Sequence, residues 1–512
     1  MSAAPSEPEK YSIDEMMDRL KNPALENPEE GELVTRQDGT QAIRVRKRKR
    51  RSSQPRKEDA HRTKRARIVQ VSAALILLFL TALAIGGAIV YANSRPYRDA
   101  LLTKIAQASG ATAQLEQFRM NPATANAGGL SLEWPAGNVL KSLLLRGLTA
   151  EISPTSFLGK SMAGEEVTVV TDGTLTLQVP TPGLPLRSTA QPAGDLPVRF
   201  NRYWIPVFHL AVGGSTPPAV SLTKSEASLY PENVNGRTQL RLNQGAVNIP
   251  GWPNLRLDRA LLEFRGRDTD VIVIRLQHES DTRGSFELSG TIQPYKTDRP
   301  STLAVQLDSF ELAGLTGPSF ARLFSGRVDT LPAAKSNFLS FLPTETPHPS
   351  LDIALGVSPT AKIEVKGFPF LPALAQVLDD PWFESPVFEG EASSTLHREG
   401  GIVSLQDLRF ESKGRMALRG EIAMAANETL SGNLQLGVAE AMIISSKNPR
   451  LESMFGPTRE GFRWLTLKIA GAAKAPTDNF RDLYTSAVVT APAKAPAAED
   501  DGSSFDELTR PK

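Results

Sequence analysis

The chain has 512 residues, a formal net charge of +2 and no cysteine, a length that permits one large or two ordinary domains. The balance conceals a division into an acidic start, a basic block and a nearly neutral remainder, and that remainder offers no surface suited to nucleic acid. Without cysteine, disulfides, thiolate metal sites and a cysteine nucleophile are excluded, so stability must come from packing and sheet pairing.

Residues 1–67 read as a largely disordered segment, basic near its end. Within it, Ser12-Ile13-Asp14-Glu15 has capping-box spacing, and Ile13, Met16, Met17 and Leu20 share a helical face before Asn22-Pro23, which predicts one small helix. Arg44 to Arg67 carries thirteen lysines and arginines, whereas Ile68 to Ala92 carries no charge. As a helix the apolar run is roughly 37 Å long, enough to cross a hydrocarbon core of about 30 Å. Positive charge before the run, against only Arg95 and Arg98 just after it, predicts a cytoplasmic N-terminus. The basic block would also attract anionic headgroups. The apolar core is too long and too far from the start for a cleaved signal, so Val90-Tyr91-Ala92 reads as part of a retained anchor. In a bacterium with two membranes, the bulk from Asn93 onward would then be periplasmic, and the anchor a single pass through the inner membrane.

Pro96 opens a helix in which Tyr97, Leu101, Leu102, Ile105 and Ala108 share a face, and Gly110 stops it. The period then changes to two, with strands expected at Leu130 to Trp134, Leu143 to Ile152 and Val167 to Thr171. Thr171-Asp172-Gly173-Thr174 followed by alternating Leu175, Leu177 and Val179 predicts a hairpin. Proline-rich Pro180 to Pro197 predicts a loop and a subdomain boundary, dividing 93–180 from 181–476. Alternation resumes at Gln239 to Leu242, Leu255 to Leu257, Phe286 to Ile292 and Leu303 to Leu307, while Val271 to Ile274 is apolar on both faces and predicted to be covered on both. Next come a short helix at Ser319 to Phe324, a loop from Leu331 to Ser350, a strand at Leu351 to Val357 and a helix at Pro372 to Leu378. Phe388 to Leu396, Gly401 to Phe410, Gly414 to Met424, Leu430 to Val438 and Phe462 to Ile469 form a last strand series. Residues 477–512 read as a short helix, Phe480 to Val488, and a disordered tail. The fold class is mainly β, and short connections make the sheet mainly antiparallel.

Catalytic patterns are wanting. His61, His209, His278, His348 and His397 are scattered without metal-ligand spacing. Glu389 with Glu391, or Asp379 with Asp380, could form an acid/base pair, but charges at turns and on exposed strand faces are the ordinary background. No phosphate-binding glycine loop and no G-x-S-x-G elbow occurs. The expectation is a non-enzyme without cofactor or metal.

Tyr97 to Gly110 leading into Ala111-Thr112-Ala113-Gln114-Leu115, then Leu130 to Trp134 and Leu143-Leu144-Leu145-Arg146-Gly147-Leu148, resembles the start of the AsmA-like family of bacterial envelope proteins. Strand-turn-strand phrases near the end are similar to that family's C-terminal part: Gly401 to Leu408, Arg415 to Ile422, Leu430 to Leu434, and Leu465 to Gly471 with Pro476. The resemblance implies an inner-membrane anchor bearing a long, curved antiparallel sheet whose concave face is an apolar groove, associated with phospholipid movement or outer-membrane assembly. About twenty strands at roughly 4.8 Å would make a groove of about 95 Å. Alternation gives the candidate lining: Leu175, Leu177, Val179, Leu240, Leu242, Leu255, Leu257, Phe286, Leu288, Leu303, Val305, Leu307, Leu434, Leu436, Val438, Leu465, Leu467 and Ile469, all inward in one register, with Arg256 and Gln306 outward. The expected partners are the membrane, phospholipid and other envelope proteins, with no nucleic acid. The alternative is a scaffold whose sheet closes into an ordinary core and which holds envelope proteins in place.

Overall fold

The computed structural model describes residues 32–35, 37–44, 57–153, 162–178, 198–213, 217–232, 236–265, 268–296, 299–331, 337–342, 349–390 and 392–488. Two compact units divide the chain, Met1–Leu83 and Ala84–Lys512. In the first, Glu32–Thr35 pairs antiparallel with Gln41–Arg44 around a turn in which Gly39 has φ 75°, so a segment expected to be disordered contains a hairpin. The helix expected over Ser12 to Leu20 lies outside the described residues. Helix α1, Lys57–Ala92, starts within the basic block and runs through the apolar stretch. Its portion Val69–Ala92 is long and apolar enough to cross a membrane.

In the second unit, helix α2, Arg95–Ser109, has Pro96 in its first turn and ends on Gly110 at φ 68°, the left-handed cap that a residue without Cβ adopts cheaply. Between the helices, the Asn93 side chain behaves as a strand backbone would. Its amide nitrogen donates to Met120 O at 2.7 Å, and its amide oxygen accepts from Met120 N at 2.8 Å. The last turn of α1 is thereby clasped to the first strands, with Ala92 and Leu101 buried against Met120, Ala125 and Ala150.

One long sheet follows, its strands in chain order, each beside the next. Several strands are split by an irregular residue: Thr238–Asn243 and Ala246–Asn248 lie end to end, both between Val220–Tyr230 and Leu255–Arg265. These split strands account for the loops in the pairing pattern, and no register joins the first strand, Thr112–Glu116, to the last, Ala475–Asp478, among the described residues. Among the described residues all pairings are antiparallel except one: Met162–Leu177 runs parallel to Val198–Val212. The proline-rich connection between them is long enough for a return along the sheet, so it joins neighbouring strands where a subdomain boundary was expected.

The expected hairpin at Thr171 to Thr174 is not one. Those residues lie inside the single strand Met162–Leu177, where Val170 and Thr171 bulge opposite Gly147 at φ 66°. Asp172 and Gly173 themselves pair in register with Arg146 and Leu145, so the local turn signal is overridden by the strands on either side. Further bulges and breaks line up beside it: at Pro206 and Val207, at Lys224 (φ 55°), at Gln244 and Gly245 (φ 57° and 121°), and at Asp258. Together they form a seam across adjacent strands, and bulges in line bend a sheet and increase its twist.

Beyond the seam strands the sheet wraps a packed core. Phe320, Phe324, Phe368, Phe370, Phe388 and Phe410 make a chain of ring contacts at 5.5 to 6.2 Å. Asp478 ties the last strand to the helix Phe370–Leu378 by accepting from Phe370 N at 2.7 Å, and it caps the next helix through Phe480 N at 3.0 Å. The loop expected from Leu331 to Ser350 contains a strand, Asn337–Phe341. Ile272, expected to be covered, is 48% exposed because it bulges between Val271 and Ile274.

Candidate functional site

Pairing registers assemble two apolar rows on one face of the N-terminal strands, one on each side of the seam. The first runs Met120, Ala125, Ala150, Val167, Tyr203, Leu229, Leu240, Leu262, each the cross-strand partner of the next. It starts at the Asn93 clasp, beside the last turn of the apolar helix. The second runs Leu132, Leu143, Leu175, Leu210, Leu222, Val247, Leu255. Cross-strand partners project to the same face, so each row is a continuous strip. The opposite face is mainly polar, as in the row Asn126, Thr149, Thr168, Trp204, Ser228, Arg241. There Trp204 donates to Glu226 at 2.8 Å and Arg202 pairs with Glu166 at 3.2 Å.

Leu143, Leu175, Leu177, Tyr203, Leu210, Leu229, Leu240 and Val247 are only half-buried. Apolar side chains aligned over several strands and left half-covered form a surface that gains free energy when something apolar lies on it, about 25 cal/mol per Å² covered. Of the candidate lining residues, Leu175, Leu177 and Leu240 are on this half-covered face, and Val179 lies outside the described residues. Leu242, Leu255, Leu257, Phe286, Leu288, Leu303, Val305, Leu307, Leu434, Leu436, Val438, Leu465, Leu467 and Ile469 are in the main core, 0 to 8% exposed. The covering of these residues differs along the sheet, complete for those in the main core and partial for Leu175, Leu177 and Leu240. Leu143, Leu210, Tyr203 and Leu229 carry the same signal and escaped the sequence reading because the seam shifts the inward set from Leu143 and Leu145 to Leu148 and Ala150, and from Ile205 to Phe208.

The half-covered face ends where the opposing wall arrives. Arg398, 3% exposed, reaches across from the facing strand. It donates to Leu315 O at 2.7 Å and to Gly251 O, and its guanidinium stands 5.1 Å from the Trp252 ring. Burial without a carboxylate partner lowers its pKa to about 10, which measures the cost of holding the charge there; the guanidinium stays protonated at any physiological pH. A Cβ on Gly251 would lie 3.5 Å from Gly400 O and from Gly401 N, so the two backbone segments approach within the reach of one methyl group at this point.

Two of the carboxylates weighed for catalysis, Asp379 and Asp380, serve as helix caps. Asp379 is a left-handed helix cap at φ 53°, and Asp380 caps the next turn by accepting from Trp382 N at 2.9 Å. His397 bonds Asp352 at 2.7 Å and His278 bonds Glu311 at 3.2 Å, on separate parts of the sheet. No group of three metal-ligating side chains occurs among the described residues.

No family model, curated protein or solved structure matches this chain. The functional reading therefore rests on the site itself.

Proposed function

We propose that this is a single-pass membrane-anchored protein of AsmA-like type, which holds phospholipid on its apolar sheet face and supports phospholipid transport or outer-membrane assembly without catalysing a reaction. What supports the reading is the half-covered part of the apolar face, Tyr203, Leu229 and Leu240 of the first row with Leu143, Leu175, Leu210 and Val247 of the second. A chain anchored in the inner membrane, with a cytoplasmic N-terminus and periplasmic bulk, would set that row at the outer surface of the bilayer. The test is a photo-crosslinking residue at Leu175 compared with one at Thr176 in the full chain. Phospholipid capture at Leu175 alone is expected; equal capture at both, or none at Leu175 while the protein stays folded, refutes the reading. Alkaline phosphatase fused after Lys512 should be active, and inactivity would overturn the orientation.

A scaffold role is favoured by a different observation, the complete burial of Leu434, Leu436, Val438 and Leu467 in the C-terminal half. That half is a packed support, and in this reading other envelope proteins bind its outer surface.

A further inference from the structure

We infer that the polar face of the sheet carries a site of its own, a hollow beside the seam that binds a small zwitterion of the phosphoethanolamine kind, its phosphate held between Lys224 and Arg256 and its ammonium by Glu279. The site is on the face opposite the apolar rows and does not depend on them.

Pairing register places it there. Thr223, Ala246, Arg256 and Gln277 are successive cross-strand partners, and each adjoins in sequence one of the inward residues Leu222, Val247, Leu255 and Leu276, so this row projects to the other face. Over Thr223, Ala246 and Arg256, all exposed, lies a hollow of about 740 Å³ that Lys224 and Glu279 also line, a volume within the range of small-molecule sites. Its floor is low because Thr223 and Ala246 are short between two long cationic side chains. The seam supplies one of these. Lys224 is irregular at φ 55°, and Thr223 and Lys224 are both exposed where an unbroken strand would turn one of them inward.

The charges select the ligand. Arg256 donates to Gln277 Oε1 at 2.5 Å, and Gln277, 8% exposed, donates in turn to Thr282 O at 3.1 Å, so a neutral and buried amide fixes the guanidinium. Among the described residues no carboxylate pairs with Arg256, and the side chains of Lys224 and Glu279 make no hydrogen bond or ion pair. Asp258, the other carboxylate of the hollow, faces Arg275 at 3.8 Å. Two strand spacings, about 10 Å, separate the strand of Lys224 from that of Arg256, a gap that two long side chains can close on one anion. A phosphate suits them better than a carboxylate: an arginine fork takes two oxygens, and a third remains for the lysine. Glu279 stands two residues beyond Gln277, which makes it a diagonal neighbour of Arg256 at about 7 to 8 Å. An ammonium a few bonds from the phosphate reaches it.

The test is calorimetric titration of the detergent-solubilised full chain with phosphoethanolamine, inorganic phosphate and ethanolamine, with melting followed in parallel. Phosphoethanolamine should bind at least tenfold more tightly than either fragment. Arg256→Gln and Lys224→Gln should each weaken it about tenfold, the loss expected for one charge-assisted contact. Glu279→Gln should weaken phosphoethanolamine and leave inorganic phosphate unchanged, and Ala246→Phe, which fills the floor without touching a charge, should abolish binding. Inorganic phosphate bound as tightly as phosphoethanolamine overturns the zwitterion. Absence of binding, equal affinity in Arg256→Gln and the unaltered chain, or binding that survives Ala246→Phe overturns the site. Displacement of bound phosphoethanolamine by short-chain phosphatidylethanolamine, and not by short-chain phosphatidylglycerol, upholds the site with a lipid headgroup as ligand; absence of displacement upholds it with a soluble one. Phospholipid capture at Leu175 is a separate readout, so failure here leaves the lipid-binding reading standing.

Discussion

Truncating Leu434 and Leu175 to alanine should separate the two halves of the sheet energetically, although both are inward leucines on alternating strands. Leu434 is 0% exposed and pairs with Leu467 and Gly420 across its neighbours. Leu434→Ala loses the transfer free energy of the deleted carbons and leaves a void that a closed wall cannot fill, about 2 to 5 kcal/mol. Leu175 is half-buried on the apolar face between Leu143 and Leu210. Its burial is worth about half of the 1.5 to 3 kcal/mol of a fully covered side chain, and solvent occupies the space it vacates, so Leu175→Ala should cost about 1 kcal/mol. Urea unfolding of the detergent-solubilised full chain, followed by circular dichroism, should show the Leu434→Ala midpoint falling by at least twice as much as that of Leu175→Ala. Equal shifts, or a larger one for Leu175→Ala, would mean that the N-terminal face is as closed as the C-terminal core, and the half-covered face would be refuted.

Asn93→Ala removes both bonds of the Met120 clasp and should cost about 1 to 3 kcal/mol, seen as faster amide exchange at Met120 with unchanged exchange at Leu467. Gly245→Ala places a Cβ 2.8 Å from Leu222 Cδ1 at a backbone φ of 121°, so it should destabilise by about 1 to 3 kcal/mol, read as a lower melting temperature. Burial alone would raise the Asp281 carboxyl, but the Arg283 backbone N–H and the guanidinium groups of Arg327 and Arg283 outweigh it and hold the pKa below its ordinary value. Its contribution is therefore present above about pH 3.9 and is lost as the pH falls through the lower folded-state value. Asp281→Asn should lower the melting temperature at pH 7 and have a smaller effect at pH 3; a deficit that does not shrink in acid would contradict the assignment.

The sequence by itself determined the elements whose cause is local. An uncharged run too long for a core helix, Pro96 and Gly110 bracketing α2, and the period-two leucines of Leu303 to Leu307 or Leu434 to Val438 each state their structure through a few neighbouring residues. Tertiary structure alone decided three things. The Asp172-Gly173 signal suggests a turn, yet pairing of Asp172 with Arg146 and of Gly173 with Leu145 keeps both within one strand. The proline-rich connection leads into a parallel pairing, which depends on where the chain returns and not on the connection's composition. Finally, Leu175 and Leu434 carry the same alternation, yet one is half-covered and the other sealed, because burial depends on what the opposite wall brings. Leu434 lies fully buried in the core that the helix Phe370–Leu378 joins, whereas Leu175 packs only at its margin, and no local pattern in either strand reports the difference.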